Sequence, residues 1–275
     1  MHSVSAHGAN IPALGLGTWT LKGDLCATIA TEALKQGYRH VDTAIMYGNE
    51  AEVGRALAES GVPRAEIFLT TKVWYTNIGA GDLERAAEGS LKRLGVDEVD
   101  LLLIHWPNTK IPLADSIGAL NRVRERGLTR HIGVSNFTLA LLDEAVRLSD
   151  APLVCNQVES HPMLDQRRIH RKCRDYGMAM TAYAPLGRGD VLKAEAVQQA
   201  VAAHKKSPAQ IVLRWHVQQE GVVCIPRTSR TERLAENAAI FDFELSAMEM
   251  EAIGALRSAN HRICDYAFSP KWDAV

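Results

Sequence analysis

The chain has 275 residues, 47 % hydrophobic and 23 % charged, which is enough apolar side chain for a sizeable core and not the composition of a disordered polymer. A formal net charge of -1 excludes a whole-protein field drawn to nucleic acid or anionic lipid, while a local cationic site for a small anion stays open. Five cysteines scattered singly without a CxxC pair argue against a disulfide framework and a zinc site and fit a reducing compartment.

The N-terminal stretch MHSVSAHGANIPALG has no basic start followed by an apolar run, so it reads as no secretory signal; Gly8 suggests a small hairpin there. Strand-sized apolar runs then follow in order: LGLGTW from Leu14, YRHVDTA from Tyr38, IFLTTKVW from Ile67 and DLLLIHW from Asp100. HIGVSNF from His131, LVCNQVE from Leu153, MAMTAYAP from Met178 and VVCIPRT from Val222 complete a set of eight. Near-continuous apolar runs indicate strands buried on both faces, as in a parallel sheet. None approaches the ~18 residues of a membrane span. The expectation is a cytoplasmic protein with no membrane anchor, no nucleic-acid partner and no metal.

Helical stretches separate the runs. Leu83, Ala86, Ala87, Leu91 and Leu94 form an apolar stripe between Gly81 and Leu94. Ser207 and Pro208 read as the N-cap and first turn of another helix. Gly37, Gly61, Gly127 and Gly177 stand where C-terminal glycine caps belong. A last helix is expected from about Ser246, then an irregular tail to Val275. Strand and helix alternating eight times predicts a closed (β/α)8 TIM barrel, with no linker dividing residues 1–275 into two domains. A doubly wound dinucleotide fold would need G-x-G-x-x-G after its first strand; Gly15-Leu16-Gly17 and Gly187-Arg188-Gly189 both lack the third glycine.

Barrel chemistry sits at the C-terminal ends of the strands. There the second run ends in Asp42 with Tyr47 in the following loop, the third in Lys72 before Trp74, and the fourth in His105 and Trp106. Singly, Asp42 reads as a helix cap, Lys72 as a rim residue, His105 as a structural histidine and Tyr47 as packing. Together on neighbouring strands they make an acid–base site. An ammonium next to a phenol favours the phenolate, and a buried ammonium needs its own counter-charge, which gives the chain Tyr47, Lys72, Asp42. His105 would add a second donor to an oxygen that becomes alkoxide-like. Ser135 and Asn136, Gln157 and Glu159, and Tyr183 end the next three strands and suit a carboxamide and a planar ring. Arg227, Thr228, Ser229, Arg230 and Arg233 after the last strand form either a phosphate site or a solvated helix face; the position after the last barrel strand favours phosphate.

At these residues the sequence resembles the aldo-keto reductase family. GYRHVDTAIMYGNEAEVG from Gly37, RHIGVSNF from Arg130 and IPRTSRTERLAEN from Ile225 are similar to its three signatures. GLGTW, TTKVW, LLLIHWP and NQVESHP follow the family order, so the resemblance spans essentially the whole chain. Chain length and a short tail ending in PKWD resemble the bacterial 2,5-diketo-D-gluconate reductase branch. The resemblance implies NADPH-dependent reduction of aldehydes or ketones by a monomer, with small dicarbonyls or keto sugar acids as substrates. It implies a tetrad of Asp42, Tyr47, Lys72 and His105, with Tyr47 as general acid. It also implies a nicotinamide held by Ser135, Asn136 and Gln157 and stacked on Tyr183, with Thr18, Trp19 and Asp42 beside the cofactor. Leu186 and Arg188 would lie along the pyrophosphate, and Arg227, Thr228, Ser229 and Arg233 at the 2′-phosphate. Glu236 and Asn237 would stand near the adenine, and Trp19, Tyr47, Trp74, His105 and Trp106 would line the substrate pocket.

Two departures stand out. Arg227-Thr228 occupies a place where many members have Lys-Ser, and Arg230 is basic where the pattern does not ask for it. The competing reading is a non-catalytic nicotinamide-binding subunit that senses redox state; a barrel acting on sugar phosphates leaves the tetrad unexplained.

Overall fold

The computed structural model describes residues 1–274 and gives ten strands, eight of them in one parallel sheet. The chain opens with a hairpin, β1 (Ser3–Ala6) and β2 (Ala9–Pro12), turned at Gly8 with φ +86°. Then come β3 (Leu16–Gly17), α1 (Gly23–Lys35), β4 (His40–Asp42), α2 (Glu50–Glu59), β5 (Phe68–Val73) and α3 (Asp82–Leu94). β6 (Val99–Ile104), α4 (Leu113–Glu125), β7 (Thr129–Ser135), α5 (Leu139–Leu148), β8 (Leu153–Glu159) and α6 (Arg167–Asp175) continue the alternation. β9 (Ala179–Tyr183) is followed by two helices, α7 (Glu195–His204) and α8 (Pro208–Val217), before β10 (Val222–Cys224). α9 (Glu232–Ala238) and α10 (Ala247–Ala255) end the regular structure.

The sheet runs in sequence order from β3 to β10. It closes on itself, because Leu14 bridges Cys224, the Gly15 N–H donates to the Cys224 carbonyl at 2.9 Å and the Cys224 N–H to that of Ala13 at 2.8 Å. Every residue of β5, β6 and β8 is buried, as expected of strands that face the barrel interior on one side and the helix layer on the other. Closure depends on Gly17, whose N–H donates to the Pro226 carbonyl at 3.0 Å. A Cβ there would stand 2.7 Å from the Ile225 carbonyl oxygen, so only glycine lets the first and last strands meet.

Six of the eight barrel strands lie within their expected runs; β6 begins one residue early at Val99 and β7 two residues early at Thr129. Gly37, Gly61, Gly127 and Gly177 take φ values of +96°, +73°, +71° and +65°, as left-handed caps do. Ser207 and Ser246 cap α8 and α10 with capping boxes to Gln210 and Glu249. Gly81 stands outside α3 as its N-cap. The hairpin packs against β9, with His7 Nε2 at 2.7 Å from the Tyr176 carbonyl. The main core fills the barrel and its inner helix faces, and a smaller one lies under α7, α8 and α10. Among the described residues no helix is long and apolar enough to cross a membrane.

Candidate active site

Asp42 is the last residue of β4, Lys72 lies one residue before the end of β5, and His105 directly follows β6. Adjacent parallel strands bring the three to one mouth of the barrel. Lys72 is fully buried, and its Nζ donates to Asp42 Oδ1 at 2.5 Å, to the Thr43 carbonyl at 3.0 Å and to the Tyr47 hydroxyl at 3.3 Å. Asp42 Oδ2 accepts from Gln157 Nε2 at 2.7 Å, so the carboxylate is held from both sides.

Tyr47 sits in a helical turn over Ile45–Tyr47 that ends at Gly48, φ +59°. Asn49 fixes this loop. It is fully buried, donates through Nδ2 to the carbonyls of Thr18 (2.9 Å) and Leu21 (3.0 Å), and accepts from Thr43 Oγ1 at 2.7 Å. The Lys22 ammonium donates to the Tyr47 carbonyl. Because Lys72 donates onto the phenol oxygen, the phenol keeps its own proton for another acceptor. The Tyr47 ring centroid is 5.6 Å from that of His105 and 4.9 Å from that of Trp19.

The electrostatics correct one expectation. Burial raises the Tyr47 pKa above its ordinary value and outweighs the downward pull of Lys72, with Asp42 adding to the rise. Burial would lower the Lys72 pKa, but Asp42 and Tyr47 more than offset it and the net shift is upward, so the ammonium persists. His105 is held well below its ordinary value by burial and by Lys72, so its imidazole is neutral at physiological pH. Its Nδ1 is buried without a hydrogen-bond partner.

The residues expected to hold a carboxamide form one network. Ser135 Oγ donates to the Gln157 carbonyl at 2.7 Å; Asn136 Nδ2 donates to the His105 carbonyl at 2.9 Å and to Ser135 Oγ at 3.1 Å. Tyr183 donates to Asn136 Oδ1 at 2.8 Å, and Asn136 takes φ +62°, a left-handed conformation that asparagine tolerates. Thr18 is buried and donates from Oγ1 to the Asp42 carbonyl at 3.0 Å, while Trp19 is 43 % exposed at the rim. Leu186 is half-buried; Arg188 is exposed at φ +52° with Nη2 3.9 Å from Cys264 Sγ.

After β10, Arg227, Ser229, Arg230 and Arg233 are exposed, and none of the three arginines has a carboxylate partner among the described residues. Thr228 is buried and its hydroxyl is used inside the loop, accepting from the Arg230 N–H at 3.0 Å and donating to the Arg230 carbonyl at 3.1 Å. Arg230 is therefore a turn residue whose side chain points out. Glu236 is half-buried and Asn237 buried on α9.

Sequence reasoning did not foresee what the tail does. Phe268 packs on Trp74 (5.3 Å), Tyr75 (4.8 Å) and Trp106 (5.4 Å), and Trp106 also meets Tyr266 (5.8 Å) and Trp272 (6.0 Å). Trp74 in turn lies 5.2 Å from His105. The aromatic spacing of Tyr266, Phe268 and Trp272 was the available signal. Glu159, expected on the ligand surface, is fully buried and binds the tail backbone instead. Among the described residues no group of three or more His, Cys, Asp or Glu is arranged to hold a metal.

Comparison with known proteins identifies the family of the chain. A profile of the Aldo/keto reductase family matches residues 13–258. The chain is 40 % identical to the methylglyoxal reductase DkgB of Salmonella typhimurium over 266 residues, 96 % of this chain and 99 % of that protein. It is 44 % identical to an aldo-keto reductase of Mycolicibacterium vanbaalenii over 247 residues, 90 % of this chain and 88 % of the relative. A crystal structure that carries the name of a 2,5-diketo-D-gluconic acid reductase B superposes with a TM-score of 0.97 at 48 % identity, covering 100 % of this chain and 98 % of that one. The aldose reductase of Schistosoma japonicum superposes at 0.93 with 30 % identity, over 98 % and 99 % of the two chains. The chain belongs to the aldo-keto reductase family.

Proposed function

We propose that this chain is a reductase that uses NADPH to convert aldehydes or ketones to alcohols, with Tyr47 as the proton donor. The observation that carries the reading is a phenol whose oxygen accepts from a fully buried ammonium while its own proton is left free, beside a neutral imidazole at the barrel mouth. Three exposed arginines without carboxylate partners after β10 fit an added phosphate, and Gln157 Oε1 has no protein donor among the described residues, which leaves it for a carboxamide N–H. When bound, NADPH supplies a hydride to the carbonyl carbon.

The protein's own groups do the rest. Tyr47 and neutral His105 donate to the carbonyl oxygen, and negative charge develops on that oxygen as the carbon is reduced. An alkoxide is a far stronger base than a phenolate, so the Tyr47 proton moves to it downhill even from a raised pKa. Lys72 then faces a phenolate at 3.3 Å and stabilises it, and Asp42 keeps Lys72 charged and oriented. Ser135, Asn136, Gln157 and Tyr183 would orient the nicotinamide, Leu186 and Arg188 would follow the pyrophosphate, and Arg227, Ser229 and Arg233 would face the 2′-phosphate. Thr228 acts by shaping the loop with its hydroxyl.

The name of the DkgB relatives makes methylglyoxal the first substrate to try, and the aromatic lining of Trp19, Trp74 and Trp106 suits a small carbonyl compound. Five buried free cysteines fit a reducing cytosol, and the reading takes residues 1–275 as one catalytic unit that works as a monomer. The test is NADPH oxidation on mixing with methylglyoxal. No absorbance change beyond the buffer rate, from folded protein with a panel of small aldehydes and dicarbonyls, defeats the reading and favours a nicotinamide-binding sensor.

A further inference from the structure

Glu159 ends β8, one strand pairing away from Tyr183, and has no solvent exposure. Burying a carboxylate without compensation is costly. Among the described residues no Lys or Arg lies within ion-pair distance of it. Its compensation is the tail: the Ile263 N–H donates to Oε1 at 2.7 Å and the Cys264 N–H to Oε2 at 2.6 Å, with His161 Nε2 3.1 Å from Oε1. Burial works to raise the Glu159 pKa, but these hydrogen bonds overcome it and hold the carboxyl below its ordinary value.

Among the described residues past Ala259, 260–274, the tail has no helix or strand of its own, so its path depends on such ties. The far end is held by Asp273, whose Oδ2 accepts from the Leu139 N–H at 2.9 Å. Between the two ties, Phe268 packs edge-to-face with Trp74 and Trp106, ring centroids 5.3 and 5.4 Å apart, and Trp74 packs likewise with His105 at 5.2 Å. A continuous line of contacts thus runs from Glu159 to the catalytic mouth.

We propose that Glu159 is a positioning residue for substrate: its buried carboxylate fixes the tail at Ile263 and Cys264, sets the Phe268 wall over the mouth, and favours carbonyl substrates large enough to reach that wall. A three-carbon dicarbonyl held at Tyr47 and His105 does not need the wall, whereas an aromatic aldehyde does. Glutamine at this position keeps one acceptor oxygen but turns an N–H₂ donor toward a donor N–H, so one tie is lost without a large change of shape.

The kinetic arm of the test rests on the carbonyl-reductase reading; the exchange arm does not. In wild-type protein the amides of Ile263 and Cys264 should exchange with deuterium at least about tenfold more slowly than that of exposed Ala267. Glu159→Gln should raise KM for 4-nitrobenzaldehyde roughly tenfold, with kcat within about twofold and methylglyoxal KM within about twofold. Phe268→Ala should copy that pattern, and combining the two should add little. Equal exchange at the three amides, a loss shared equally by both substrates, no loss for either, or full additivity overturns the proposal. If Glu159→Gln does not fold, the exchange comparison decides the anchor and Phe268→Ala decides the wall. Wild-type enzyme that turns over neither aldehyde defeats the functional reading, and the exchange arm still decides the anchor.

Discussion

Replacing Lys72 by Met keeps an apolar stem of similar length and removes only the ammonium. The structure shows what that leaves behind. Asp42, 1 % exposed, would keep a single side-chain donor, Gln157 at 2.7 Å, and lose the 2.5 Å contact to Nζ. Breaking a buried ion pair from one side costs roughly 3–5 kcal/mol, because the stranded charge stays desolvated. For a chain of this size that lowers Tm by roughly 5–9 °C, and protonation of Asp42 would bring the loss toward the lower end. Tyr47 would also lose the cation that stabilises its phenolate, so kcat should fall at least about hundredfold. The informative comparison is the double variant Asp42→Asn with Lys72→Met, which removes both charges. It should regain most of the lost Tm while activity stays absent. Calorimetry and steady-state NADPH oxidation on the four proteins of the cycle are the assays. A Lys72→Met protein within about 2 °C and threefold of wild type, or a double variant no more stable than the single, refutes the reasoning. The pH dependence has a definite sign. Lys72 has a raised pKa when folded, so its contribution is complete below the ordinary value of 10.5 and is lost only as pH climbs through the higher folded value.

Other consequences can be measured separately. Gly17→Ala forces a Cβ to within 2.7 Å of the Ile225 carbonyl oxygen, and should destabilise the barrel by about 1–3 kcal/mol in chemical denaturation, whereas Gly8→Ala meets no atom within 4 Å and disturbs only its own left-handed turn. Arg227→Ala and Arg233→Ala should each weaken NADPH binding by about tenfold or more and leave NADH within about twofold, read as dissociation constants by fluorescence titration. Ultraviolet titration of the unliganded protein should put the Tyr47 phenolate signal, judged as the difference between wild type and Tyr47→Phe, at higher pH than that of an ordinary tyrosine, because burial raises that pKa.

The barrel was legible because parallel strands buried on both faces write themselves as near-continuous apolar runs, and all eight runs overlap their strand, six of them enclosing it. Asp42, Lys72 and His105 were legible for a related reason: an ionisable group ending an apolar run stands out, and parallel strands put all such ends at one mouth. The net acidity of Tyr47 was not, because the size of the burial effect depends on how the loop closes over the phenol. Thr228 shows the same limit in a hydroxyl. Its residue type fits a phosphate contact, but the loop turns back and its own Arg230 backbone takes the hydrogen bonds. Glu159 and the tail were the least legible part. Two backbone N–H groups over a hundred residues away in sequence satisfy the carboxylate, and backbone groups leave no trace in residue type.

The central claim is that the Tyr47 hydroxyl delivers the proton that makes carbonyl reduction possible. Single-turnover mixing of NADPH-loaded protein with methylglyoxal, for wild type and Tyr47→Phe, tests it most directly, with NADPH affinity measured on both. The account predicts a loss of at least about 10²-fold in the hydride-transfer rate with NADPH affinity little changed, since the phenyl ring keeps its packing and only the hydroxyl is gone. Hydride transfer in Tyr47→Phe within about threefold of wild type would contradict it, and the proton would have to come from another group.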